Sequence, residues 1–279
     1  MNSSQLPNSY TPMAFLPPDV AYEVTIASYV LVGSLSVLIW DILYNLKTDY
    51  LMLSRGPIRF PLIVFVISRL GTLASILSIT ITTTAPVGNC EHIWVLHCLY
   101  LVAIPPTLLL LFLRIRALYL KNRNIQAFFF CMWLAVTAAD VTPLFGSPGG
   151  YIGNTNYCLD SRLKSYVSAS CIVPLVNDVL VFIATGWKIV QMTYEEQTLK
   201  NRIRVVFFRN HLPVLSRSIL KDGQLYLLTT IVLNFVTTVM FFSPNVPAVY
   251  QSFIGIPNIV IINTMACNVF RNIRLGVYR

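Results

Sequence analysis

Charge is what this 279-residue chain has least of. Only 11% of its residues are Asp, Glu, Lys or Arg, against about 25% in soluble globular proteins. That leaves too little charge to coat a water-facing surface, and 56% of the residues are hydrophobic, with a mean hydropathy of +0.67. The net charge of +9 does not indicate a nucleic-acid binder, because the bases sit in short blocks between apolar walls and form no basic domain.

Other absences narrow the chemistry. No pair of histidines shares a helix face as in a zinc protease, since His92, His97 and His211 are scattered. There is no Gly-x-Ser-x-Gly elbow and no phosphate-binding glycine loop, and no Cys/His spacing suggests zinc. The last apolar segment has no lysine to hold retinal. No internal repeat or pair of glycine-broken helices suggests an inverted-repeat transporter. No cofactor and no metal are expected.

Long apolar runs are what the chain does have. A spanning helix needs roughly 20 mostly apolar residues, and seven segments meet this: about 24–46, 58–83, 93–118, 125–145, 166–190, 224–243 and 248–270. They are too long, and alternate too little, for barrel strands. The expected fold is all-α, a polytopic bundle of seven transmembrane helices over residues 20–270. An exterior Pro-rich tail (1–19) precedes it and a basic tail (271–279) follows. Residues 1–18 carry no basic n-region, so no cleavable signal peptide is expected and the first helix is read as its own signal anchor.

Seventeen of the 20 lysines and arginines fall on one side of this arrangement. They lie after helix 1, after helix 3, between helices 5 and 6, and in the tail. Only Arg162 and Lys164 fall on the other side, and Arg69 lies within the membrane. Basic loops stay in the cytosol, so the amino terminus is expected outside and the carboxyl terminus inside. A plasma-membrane or secretory-pathway location follows, with the lipid bilayer as partner. The block Arg114, Arg116, Lys121 and Arg123 marks the inner end of helix 3.

Cysteine placement tests that orientation. Cys90 and Cys158 both fall in exterior loops, where disulfides persist, and a Cys90–Cys158 bridge would tie helix 3 to the loop after helix 4. Two free thiols are the alternative, and Cys98 is a rival partner about two turns deeper. Cys131, Cys171 and Cys267 read as buried apolar residues. A sequon at Asn2 lies on the same outer side.

Ionisable residues inside the membrane cost about 2.5–3.5 kcal/mol at the centre on insertion scales and mark functional candidates. Asp41, Arg69, Asp140 and Asp178 are of this kind. Arg69 lies near a stripe of small residues (Ser68, Gly71, Thr72, Ser75, Ser78) of the type that packs helix on helix, so it should face protein. Asp41 and Asp178 are both within its reach as ion-pair partners; the pair would either hold helices together or serve a ligand or switch. Pro105, Pro106, Pro174 and Pro257 free backbone carbonyls and bend helices beside cavities. Asn177, Asp178, Asn234, Thr238, Gln251 and Asn258 add polar faces that must turn inward. A polar cavity between helices 2, 3, 5, 6 and 7 accounts for them, and so does interhelical hydrogen bonding. The cavity candidates are Arg69, Asn177, Asp178, Asn234, Gln251 and Asn258. The basic connection between helices 5 and 6 fits either the anionic inner leaflet or a cytosolic partner.

The segments "WDILYNLKTDY", "LRIRALYLKNRNIQAFFFCMWLAV", "GYIGNTNYCLDSRLKSYVSA", "LSRSILKDGQLYLLTTIVLNFVTTVMFF" and "IPNIVIINTMACNVFRN" resemble a group of seven-helix integral membrane proteins expanded in basidiomycete fungi. The resemblance covers about residues 35–275 and departs mildly at Asp49, where a glutamate is expected. It implies the fold and brings no activity with it. The plan is also similar to that of G-protein-coupled receptors, with a helix 3 disulfide and an arginine at the inner end of that helix. Detailed motifs differ: Leu113 precedes Arg114 where an acid is expected, and Pro257-Asn258 reverses the receptor order.

Three functions remain in play. A receptor would bind a small-molecule ligand from outside and signal to a cytosolic partner through the inner loops, with Arg114 and Arg116 as coupling candidates. An enzyme or transporter would handle a small apolar, lipid- or isoprenoid-like compound, with Asp140 or Asp178 as proton donor and Arg69 holding an anionic group. A membrane scaffold is the third.

Overall fold

The architecture is that of a computed structural model covering the whole chain; it describes residues 12–54, 59–86, 90, 93–146, 149–152, 155, 157–160, 165–203 and 213–275. The sequon at Asn2, Arg162, Lys164, residues 204–212 of the basic connection and the last four residues lie outside the described residues.

The apolar runs become helices because a chain in lipid must satisfy every backbone polar group internally. The helices are α1 (Pro18–Ser54), α2 (Phe60–Thr84), α3 (Ile93–Leu118), α4 (Arg123–Asp140), α5 (Thr142–Gly146), α6 (Ala169–Ile203), α7 (Pro213–Phe242), α8 (Ala248–Phe253) and α9 (Gly255–Leu275). Seven stretches among them are long and apolar enough to cross a membrane, so the chain folds as a seven-span bundle. Two predicted spans are each built from two pieces. α4 stops before Pro143 and α5 completes its span; α8 and α9 form the last span with a break at Ile254. The only strands among the described residues are β1 (Gly149–Tyr151) and β2 (Cys158–Asp160), a short antiparallel ribbon pairing Tyr151 with Cys158.

Each span packs beside the next, and α9 closes the ring against α1. α3 is the central helix, touching α2, α4, α6 and α9. Its most extensive contact is with α2, and the reason is local. Pro106 has no N–H for the carbonyl of Val102, and that carbonyl faces Gly71, where an added Cβ would come within 2.8 Å of the oxygen. The small-residue stripe lines this contact, with Ser68, Thr72 and Ser75 buried. Large apolar side chains such as Leu43, Leu70, Ile183, Leu225 and Phe235 stay exposed around the outside, the face that lipid covers.

α1 runs about 55 Å at 1.5 Å per residue, far beyond a hydrocarbon core of about 30 Å, and its final turns carry Asp49. α9 likewise extends to Leu275. Arg271, read above as a tail charge, is therefore helical and buried.

Candidate functional site

At one end of the bundle the bridge forms between Cys90 and Cys158, with Cα atoms 5.6 Å apart. The backbone N–H of Cys90 donates to the Tyr151 hydroxyl at 3.2 Å, tying the ribbon to the top of α3. Cys98, the rival partner, is free.

Beneath the bridge lies a cavity of about 240 Å³, bounded by α2, α3, α6, α7, α8 and α9 and also by the α4–α5 corner. Its lining is largely apolar, with polar groups at separated points. Cys158 belongs to the lining, as do Pro174 itself, Ile104 beside Pro105 and Ile256 beside Pro257. Of the six cavity candidates, Asn234, Gln251 and Asn258 line it. Gln251 directs its amide to the carbonyls of Ser243 and Val246, both at 3.2 Å, and so holds the α7–α8 turn. Asn258 Nδ2 donates to Asn234 Oδ1 at 2.6 Å, and Asn234 Nδ2 donates to Asp178 Oδ2 at 2.7 Å. Asp178 sits behind the wall, with Asn177 and Thr230 beside its carboxyl. Asn177 faces a small void near Phe112 and Trp133 on the α3–α4 side.

Arg69 is not brought to the cavity. Its Nη1 donates to Asp41 Oδ2 at 2.8 Å and its Nη2 to the Asp41 carbonyl at 3.0 Å, and its Nε lies 3.2 Å from Asp49 Oδ2. Arg271 completes the cluster, with Nη2 at 3.3 Å from Asp41 Oδ2 and Nε at 3.3 Å from Asp49 Oδ1. Of the two carboxylates within reach by depth, Asp41 takes the arginine, while Asp178 is bonded to an asparagine. Two guanidiniums and two carboxylates balance in charge, the condition under which buried ions are tolerated. Sequence reasoning missed Asp49 and Arg271 as members. Their signal was one acid near the end of the first span and one base near the end of the last.

The cavity and this cluster are joined by a buried polar chain. Thr107 lines the cavity and its hydroxyl is 2.7 Å from that of Ser68. Asn263 Nδ2 donates to Ser68 Oγ at 2.8 Å and to Thr107 Oγ1 at 3.1 Å. Cys267, one turn along α9, reaches Asn263 Oδ1 at 3.8 Å and lies against Arg69.

The signal that sequence reasoning underused is Asp140. It ends α4 because Pro143 lacks an N–H for the Ala139 carbonyl; the Thr142 hydroxyl takes that carbonyl instead, at 2.7 Å. The corner turns Asp140 into the cavity wall. It is 2% exposed, and neither carboxyl oxygen has a hydrogen-bond partner among the described residues. Tyr100 and Cys171 lie beside it.

At the opposite end Arg116 is exposed. Arg114 is turned inward beside Tyr226, its terminal nitrogens buried without a hydrogen-bond partner among the described residues. No group of three or more His, Cys, Asp or Glu suited to a metal ion occurs among the described residues.

Together these features define a polytopic seven-span membrane protein with an internal cavity at its disulfide-bearing end. No protein-family model matches the chain, and no curated protein does.

Proposed function

We propose that this chain is a receptor-like membrane protein. It takes a small molecule into the cavity from the disulfide-bearing side and reports occupancy at the opposite, arginine-rich side. In this reading the amino terminus is exterior and the carboxyl terminus cytosolic, as the loop charges suggest and as a disulfide on the oxidising face favours. A partner would engage the inner loops near Arg116. The resemblance to fungal seven-helix proteins supports the fold and is silent on the ligand.

One observation carries the reading: Thr107 belongs both to the cavity wall and to the hydrogen-bonded chain that ends at the Arg69 cluster. A ligand that moves α3 against α9 must rearrange bonds leading to the inner ends of α1, α2 and α9. A transporter needs a second route of access, whereas here the space below the cavity is filled by Ser68, Thr107 and Asn263, all buried.

The test is a small-molecule screen by thermal unfolding, followed by hydrogen exchange with the compounds that stabilise. Stabilisation should be lost when Thr237→Trp fills the cavity. Exchange near Asp49 and Arg271 should change on binding, and change less in Thr107→Val. Compounds that stabilise wild type and the filled variant alike, or that leave the far end untouched, would remove the receptor reading.

A further inference from the structure

Three of the four carboxylates named within the spans have partners from the protein itself: Asp41 takes two arginines, and Asp178 takes the Asn234 amide. The third, Asp49, shares those arginines. Asp140 differs: it is as deeply buried, lines the cavity, and has no hydrogen-bond partner among the described residues. A buried carboxyl left unsatisfied costs stability without a structural return. Such a group points to something that occupies the space in front of it.

We propose that the cavity binds a small organic cation, an amine with an apolar body, whose N–H groups donate to the Asp140 carboxylate. This rests on the reading of the cavity as a ligand site and names the class of ligand. Five observations select it. The space is too large for a single bridging water, and one carboxylate with a single imidazole, His97, on the same lining is a poor site for a hard divalent cation, which wants several oxygen ligands. No lysine or arginine lines the cavity and His97 is its single imidazole, so no permanently charged cation of the protein stands there to meet an anion or to balance the acid. The walls are apolar, with Tyr100, Phe241 and Phe253 among them; they suit a hydrocarbon body, and aromatic faces attract cations. Finally, α1 begins at this end with the exposed Asp19 and the half-buried Glu23, charges of the sign that draws cations.

The experiment uses the purified full chain and three compounds of one shape: phenethylamine, 2-phenylethanol and phenylacetate. Phenethylamine should raise the unfolding temperature of wild type, with the alcohol weaker and the acid inactive. Asp140→Asn should weaken phenethylamine binding by about tenfold or more, while raising the unfolding temperature of the empty protein because the unmatched acid is gone. A fall in that temperature would show that Asp140 is a structural partner and would overturn the proposal. Equal stabilisation by amine and alcohol, in both wild type and variant, would leave the cavity a ligand site and remove the cationic class. No shift with any of the three would remove both.

Discussion

Replacing Arg69 with alanine takes one of two guanidiniums from the cluster that joins α1, α2 and α9. Its side chain is 7% exposed and contacts Asp41 at 2.8 Å and Asp49 at 3.2 Å. At such separations and an effective dielectric of about 20, each contact is worth about 5 kcal/mol before desolvation is counted. Without Arg69 the two carboxylates share Arg271, and one negative charge is buried unmatched. Breaking a buried pair from one side costs about 3–5 kcal/mol, which in a chain of this size lowers Tm by about 10 °C. Thermal unfolding with a thiol-reactive dye reads this once the exposed Cys131 and the half-buried Cys98 and Cys171 are replaced by alanine, since Cys267 is fully buried beside the cluster. The double variant Arg69→Ala, Asp41→Ala should lose less than the sum of the single losses by more than about 1 kcal/mol, whereas Arg69→Ala with Asp178→Ala should be additive to about 0.5 kcal/mol. A drop in Tm below about 2 °C for Arg69→Ala, or coupling to Asp178 as strong as to Asp41, would refute the reasoning.

Two further outcomes follow from the packing and the bridge. Gly71→Ala places a methyl group 2.8 Å from the Val102 carbonyl and should destabilise by about 1–3 kcal/mol. Gly33→Ala meets nothing within 4 Å and should be neutral or slightly stabilising by unfolding temperature. Reduction, or Cys158→Ser, opens a link spanning 68 residues; chain entropy sets a ceiling of about 4 kcal/mol on the loss, and an unchanged melt would show that the bridge does not hold α3 to the ribbon.

Much of the fold could be read from residue order alone. Seven spans follow from run length, because lipid forces each run into a helix whatever its neighbours do. The bridge was legible because two cysteines occupy loops that the charge pattern places on one side. The inner faces of helices were legible as faces, so Asn234 and Asn258 were expected to turn inward and they meet there. Which residue meets which was harder. Depth allowed Arg69 to reach Asp41 or Asp178, and a helix turned by one residue, about 100°, would exchange those outcomes.

What the sequence determined by itself is therefore local: the number and length of the apolar spans, the basic blocks that bound them, and the prolines that interrupt them. Tertiary structure decided the partnerships. It brought Asp49 and Arg271, 222 positions apart in the chain, into one neutral cluster, gave Asp178 an asparagine, and left Asp140 facing open space. The physical reason is rotation: each helix turns about its axis until its small residues fit its neighbours, as Gly71 fits Val102, and the polar side chains go where that fit carries them.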